Sequence, residues 1–327
     1  MVRVTGLGSL PGTDFPSALR MVLNTLAEAE GGLPHQPELP ARGPWAGMVG
    51  RSCALLVDLP VSLDAGSWNL TDTAGIDGRR ARTTLRDDLD MLQEQAHEWA
   101  GPFKVQVAGP WTLAASVFRP LGGRVLADRS ARRDLAQSLT QGTADLLDEL
   151  GTRLPQAQLV LQVDEPALPS VLAGAVPTEG GFFRHRSIDR PEAVETLQPL
   201  AALTSGSVLH CCAAGLDPIL AAQAAFGAVS LDVDKVVDWD AIAEFVDGGR
   251  SVYLGCLPTA SQRTWHPDEI VSRVLKVLRP LELGGGLADS LVLSPACGLA
   301  GFSPRAASSA LKALLRAAPL VDEALRH

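Results

Sequence analysis

Short apolar runs alternate with amphipathic stretches along the whole chain. Val2 to Gly8 is a β-rich run, closed by the loop Gly8-Ser9-Leu10-Pro11-Gly12. Asp14 then caps a helix with Pro16 in its first turn and Leu19, Val22, Leu23 and Leu26 at helical spacing. Leu33 to Leu39 is the best fit to a second strand. The helix after it is marked by Leu85, Leu89, Leu92, Ala96 and Trp99. Further strands are expected at Phe103 to Ala108, Gln158 to Val163, Ser207 to Cys212, Ala228 to Val233, Ser251 to Cys256 and Ser290 to Leu293. Leu135, Leu139, Leu146 and Leu150 mark the helix after the third strand. Asp217-Pro218, Asp238, Pro267 and Ser303-Pro304 open the later helices. Eight strand–helix units without a composition break predict an α/β fold, a (β/α)8 TIM barrel, over a doubly wound sheet with a second domain. Residues 1–327 then form one domain, with the Gly- and Pro-rich segment Pro40 to Arg80 as a long excursion over one barrel end.

Composition narrows the class. Of the 327 residues, 46% are hydrophobic and 20% charged, which gives material for a large core and excludes disorder as the main state. The 28 basic and 37 acidic residues leave a net charge of −9, against a role in coating nucleic acid. Five cysteines in so long a chain are not a disulfide framework. The first residues lack an apolar h-region, so no signal peptide is expected. No stretch approaches the ~20 apolar residues of a membrane span. The expected setting is a reducing cytoplasm, with cysteines as thiolates, ligands or core fillers.

The chemically able residues fall at the C-terminal ends of the expected strands, where barrels of this kind place their active sites. They are Ser9, Glu38, Asp164 and Glu165, His210 and Cys212, Asp232 and Asp234, Cys256, and Cys297 just past strand eight. His210 and Cys212 are two apart and share a strand face, while Cys211 points away. With Asp232 and Cys297 they could form a tetrahedral zinc site; the alternative is that the thiols fill the core and His210 is a satisfied polar group. Of Asp164 and Glu165, one should face the mouth and the other the helix layer, where a helix N-cap is the competing role. The Gly8-Ser9 turn could hold an anion through backbone N–H groups. Walker A, G-x-G-x-x-G and G-x-S-x-G motifs are absent. His97 and His266 read as surface residues. Trp45, Trp68, Trp111 and Trp265 read as loop residues used for packing.

Six segments in order, TGLGSLPGT, VQVAGPWTL, LQVDEPALP, LHCCAAG, VSLDVD and LSPACGLAG, resemble the catalytic barrel of the cobalamin-independent methionine synthase family. The resemblance spans Val4 to about Leu315 and implies a zinc-dependent methyltransferase in the fold group that also holds uroporphyrinogen decarboxylase. By it, His210, Cys212 and Cys297 match three zinc ligands. The family's fourth ligand, a Glu, falls on Asp232, with Asp234 in reserve. Asp164 matches the carboxylate that holds the amino group of homocysteine, and Gly8-Ser9 the turn that meets its carboxylate. The implied reaction moves a methyl group from a methyl-folate or a methylated corrinoid protein to homocysteine, giving methionine. No nucleic-acid or membrane partner is implied.

The departures also carry expectations. The duplicated N-terminal half of the family's long form has no counterpart here. A tryptophan linked to folate binding falls on Ser116, with Trp111 earlier on the same loop as a substitute platform. The family's Gly-Glu-x-x-Arg segment has no clear match, and Glu38 is the substitute for its Glu. Two competing functions stay open: a uroporphyrinogen decarboxylase-like lyase, which would want arginines at the mouth, and a non-catalytic barrel that binds zinc or an amino acid.

Overall fold

The computed structural model describes residues 1–284 and 286–327. Its barrel strands are β1 (Arg3–Thr5), β2 (Gly32–Leu33), β3 (Pro102–Ala108), β4 (Gln158–Asp164), β5 (Val208–Cys211), β6 (Ala228–Asp232), β7 (Ser251–Leu257) and β8 (Leu291–Pro295). All pair in parallel, in the order β2-β1-β8-β7-β6-β5-β4-β3. The first strand therefore lies against the last, Arg3 opposite Val292 and Val4 opposite Leu293. A single parallel bridge between His35 and Lys104 joins β2 to β3 and closes the cylinder. There the Gln36 amide donates to the Lys104 carbonyl and the Lys104 amide to the Pro34 carbonyl, both at 2.9 Å.

The expected second strand is real but broken. Its ladder covers only Gly32–Leu33, followed by isolated bridges at His35 and Glu38. Pro34 and Pro37 supply no N–H, so a continuous ladder cannot form across them. The first strand is shorter than expected, Arg3–Thr5 within Val2 to Gly8, and the remaining six match the sequence expectation to within a residue or two. Asp14, Asp217, Asp238 and Ser303 each cap the helix that follows through their side chains.

The excursion after β2 is structured. It holds a helix at Met48–Leu55 and an antiparallel hairpin of Val61–Asp64 with Ser67–Leu70, and it runs into the long helix Ile76–Ala96. Gly50 is required there, because a Cβ would lie 2.0 Å from the Pro44 carbonyl oxygen. The hairpin is tied to the segment beyond the C-terminal end of β3 by Leu70 N–H to the Phe118 carbonyl, 2.8 Å.

Strand alternation sorts the core into two parts. Outward residues such as Val105, Leu161, Leu209, Leu231, Leu254 and Leu293 pack under the helices. Inward residues Leu33, Val208, Ala228, Tyr253 and Val292 form an apolar plug in the barrel. Above it the lining turns polar, with Lys104, Gln162, His210 and Ser230 all buried. Branched apolar layers are the usual filling of such barrels. This polar layer is what positions the mouth. Among the described residues, no helix is long and apolar enough to cross a membrane.

Candidate active site

Asp164 ends β4 facing into the barrel. Its Oδ1 accepts a hydrogen bond from Gln162 Nε2 at 2.7 Å, and Gln162 Oε1 accepts one from Lys104 Nζ at 2.6 Å. Burial drives the Asp164 carboxyl well above the usual range, while the Gln162 bond and the Lys104 charge act in the opposite sense. Burial likewise lowers Lys104, to about 7. Lys104 and Gln162 are not among the residues that the sequence singles out. Their only local signal is a pair of polar residues two apart in an otherwise apolar strand, Lys104 with Gln106 and Gln162 with Asp164.

Beside them, Ser9 Oγ donates to Glu38 Oε1. The Leu10 amide donates to the Glu38 carbonyl, and the Glu38 amide to that of Gly8. Gly8 holds φ at +119°, and a Cβ there would lie 2.5 Å from Gln106 Nε2, so only glycine lets this turn pack against β3. Burial raises the Glu38 carboxyl, opposed by the Arg51 guanidinium and Ser9. Arg51 lies 4.0 Å away and is itself held by Asp88 at 3.1 Å; Asp88 also takes a two-pronged contact from Arg42. Gly8, Ser9, Glu38 and Asp164 thus share one side of the mouth.

Across the sheet, Cys212 and Cys297 place their sulfurs 3.4 Å apart. That is far longer than a disulfide and close to the separation of about 3.8 Å expected for two thiolates on one tetrahedral zinc. The hydrogen bond between them brings Cys297 down to about 6 and pushes Cys212 up. His210 Nδ1 lies 2.9 Å from Ser230 Oγ, which fixes the ring. Burial lowers its pKa to about 3, so the imidazole is neutral, the form a metal needs.

Asp232 ends the neighbouring β6. Its Oδ1 accepts from the Asp234 amide, and its Oδ2 lies 3.3 Å from Lys235 Nζ. Asp234 turns away: its carboxylate, 56% exposed, takes both contacts from Arg273 at 2.8 and 2.7 Å. Among the described residues, no three His, Cys, Asp or Glu side chains form a ready metal cage. The donor chemistry nevertheless fits a zinc ion: a sulfur pair near the required spacing, a neutral anchored imidazole and a carboxylate on the adjoining strand. Cys211 and Cys256 are buried, with thiols pushed up to about 12, and serve as core residues.

Glu165 faces the helix layer, as expected for one of the acidic pair. It caps a neighbouring helix, Pro110–Ser116, by accepting from the Trp111 and Thr112 amides at 2.9 and 2.7 Å and from Thr112 Oγ at 2.6 Å. Burial raises its carboxyl to about 7. Trp111 lies on that helix, not in a loop, and is 1% exposed, with its indole N–H directed at the Ala193 carbonyl. It cannot serve as an aromatic platform. Ser116 Oγ folds back onto the Thr112 carbonyl at 2.7 Å. His97 and His266 are exposed, as expected.

Thiols, an imidazole and carboxylates gathered at the C-terminal mouth of a (β/α)8 barrel define a barrel enzyme with a sulfur-rich site. Residues 100–319 match the family model described as the cobalamin-independent synthase catalytic domain. The chain belongs to this family of methionine synthases, methyltransferases that act on homocysteine. Its fold is similar to that of a B12-independent methionine synthase from Shewanella sp. W3-18-1, solved in complex with selenomethionine. The two share 16% identity and a TM-score of 0.65, over 99% of each chain. No curated protein matches the sequence.

Proposed function

We propose that this chain, acting as one catalytic domain over residues 1–327, methylates the thiol of homocysteine to give methionine. Zinc would be held by His210, Cys212, Asp232 and Cys297. The observation that carries this is the close Cys212–Cys297 pair at the same mouth as Asp164, Glu38 and the Gly8-Ser9 turn. Bound there, zinc would supply the acidity that keeps the substrate thiol ionised at neutral pH.

The chain's own residues do the rest. Asp164 accepts the substrate ammonium, and the Gly8-Ser9 turn meets its carboxylate, with Glu38 as the second carboxylate for the amino group. Together they hold the thiol in line with the incoming methyl group, where proximity removes several kcal/mol of barrier. The sulfur's electron pair forms the new S–C bond as the methyl–donor bond breaks, and that bonding pair leaves with the donor. The donor is a methyl-folate or a methylated corrinoid protein. Burial of Trp111 and the inward turn of Ser116 favour the latter.

The lyase alternative has less support. It would want unpaired arginines at the mouth, whereas Arg51, the one buried arginine among the described residues, is committed to Asp88 and Glu38. Five free thiols agree with a cytoplasmic setting. The direct test supplies homocysteine with each methyl donor and measures methionine by mass spectrometry, alongside metal content. Zinc-loaded protein that forms no methionine with any donor would remove this reading.

A further inference from the structure

Lys104 is completely buried, and among the described residues its ammonium has one hydrogen-bond partner, Gln162 Oε1. In its ammonium form a lysine donates and does not accept, so it requires the Gln162 amide to present its oxygen. With Oε1 turned to Lys104, the NH2 group faces the other way. Its two hydrogens go to Asp164 Oδ1 at 2.7 Å and to the Leu7 carbonyl at 3.1 Å. The oxygen end of that amide is therefore held by Lys104, and the nitrogen end is shared between the loop after β1 and the carboxylate at the mouth. Asp164 Oδ2 is left with no hydrogen-bond partner among the described residues.

We infer that Lys104 is a positioning residue: through Gln162 it aims Asp164 so that the free oxygen receives the ammonium of the amino-acid substrate, and so makes the site selective for thiols that carry an α-amino acid group. This rests on the reading of Asp164 as the ammonium acceptor given above. Without the lysine, Gln162 Oε1 is a buried acceptor with no donor among the described residues; when the amide turns to relieve it, its oxygen meets the Leu7 carbonyl and Asp164, and Asp164 must rotate away or take a proton. The lysine never touches substrate. Its effect is read in what the site prefers to bind.

The test compares homocysteine with 4-sulfanylbutanoate, which keeps the thiol and carboxylate and lacks the ammonium. Calorimetric affinities are measured for the wild-type protein, Lys104→Met and Gln162→Met. The wild type should prefer homocysteine by about ten- to a hundredfold, the range of a charge-assisted hydrogen bond. In both variants that preference should collapse toward unity, while the affinity for 4-sulfanylbutanoate stays within about twofold. A general structural defect would weaken both ligands alike. A folded variant, judged by circular dichroism, that keeps the wild-type preference overturns the inference; if Lys104→Met does not fold, Gln162→Met decides. A wild-type protein that binds both ligands equally removes the ammonium role of Asp164, and the inference with it.

Discussion

Cys212 and Cys297 bring two sulfurs to within 3.4 Å of each other at the mouth. Replacing either thiol by a hydroxyl removes the soft donor that zinc favours over harder cations. Cys212→Ser and Cys297→Ser are each expected to lose zinc in elemental analysis while their thermal melts stay close to the wild type, since both side chains lie at the mouth. Full zinc retention in both variants would count against the ligand set. The same assay separates two aspartates. Asp232→Ala should weaken zinc binding; Asp234→Ala should cost only an exposed pair with Arg273, about 0–1 kcal/mol of stability. The H-x-C spacing and the DEPAL pair were legible from sequence because both turn on strand alternation, which is local. Lys104 and Gln162 are not legible in this way. Their role depends on lying on adjacent strands with their side chains inside the barrel, where apolar residues are the usual filling.

At the level of elements, one carboxylate links two units of the barrel. Glu165 leaves β4 and holds the start of helix Pro110–Ser116, a contact across more than fifty residues that no local capping rule could find. It also titrates in a useful range. In the folded protein its carboxyl is raised to about 7, whereas in the unfolded chain it returns to the ordinary value of 4.5. Between those pH values the native state keeps a proton that the unfolded state has lost, so stability contributed at this site falls as pH rises from about 4.5 to about 7. Denaturant midpoints at pH 5 and pH 7 should show this slope in the wild type and less of it in Glu165→Gln. An unchanged slope would mean that Glu165 is already ionised when folded. Caps such as Asp14 and Ser303 were readable because donor and acceptor lie three residues apart. The helix Met48–Leu55 is not legible for the opposite reason: Gly50 inside it lowers its intrinsic propensity, and packing against Pro44 demands that glycine.

For the whole molecule, the donor side of the mouth sets the next expectation. With Trp111 sealed beneath helix Arg190–Ala201 and Ser116 bonded to its own helix, no aromatic face is offered at either expected position. Base or pterin stacking of roughly 0.5–1.5 kcal/mol is absent there. Free methyltetrahydrofolate, as monoglutamate or polyglutamate, should therefore turn over more slowly than about 1 s⁻¹, the low end of ordinary enzymes. Steady-state rates at or above that value would show that another surface binds the pterin. The closure of β1 against β8 has a consequence of a different kind. A ribosome adding about 5–20 residues per second needs roughly 15–60 s between the first strand and its last partner. Throughout that interval the nascent sheet stands open along one edge, its inner surface in water. Above the apolar plug, Lys104, Gln106, Gln162 and His210 line that surface, so the waiting chain presents a wettable band where an all-apolar lumen would invite the wrong neighbour.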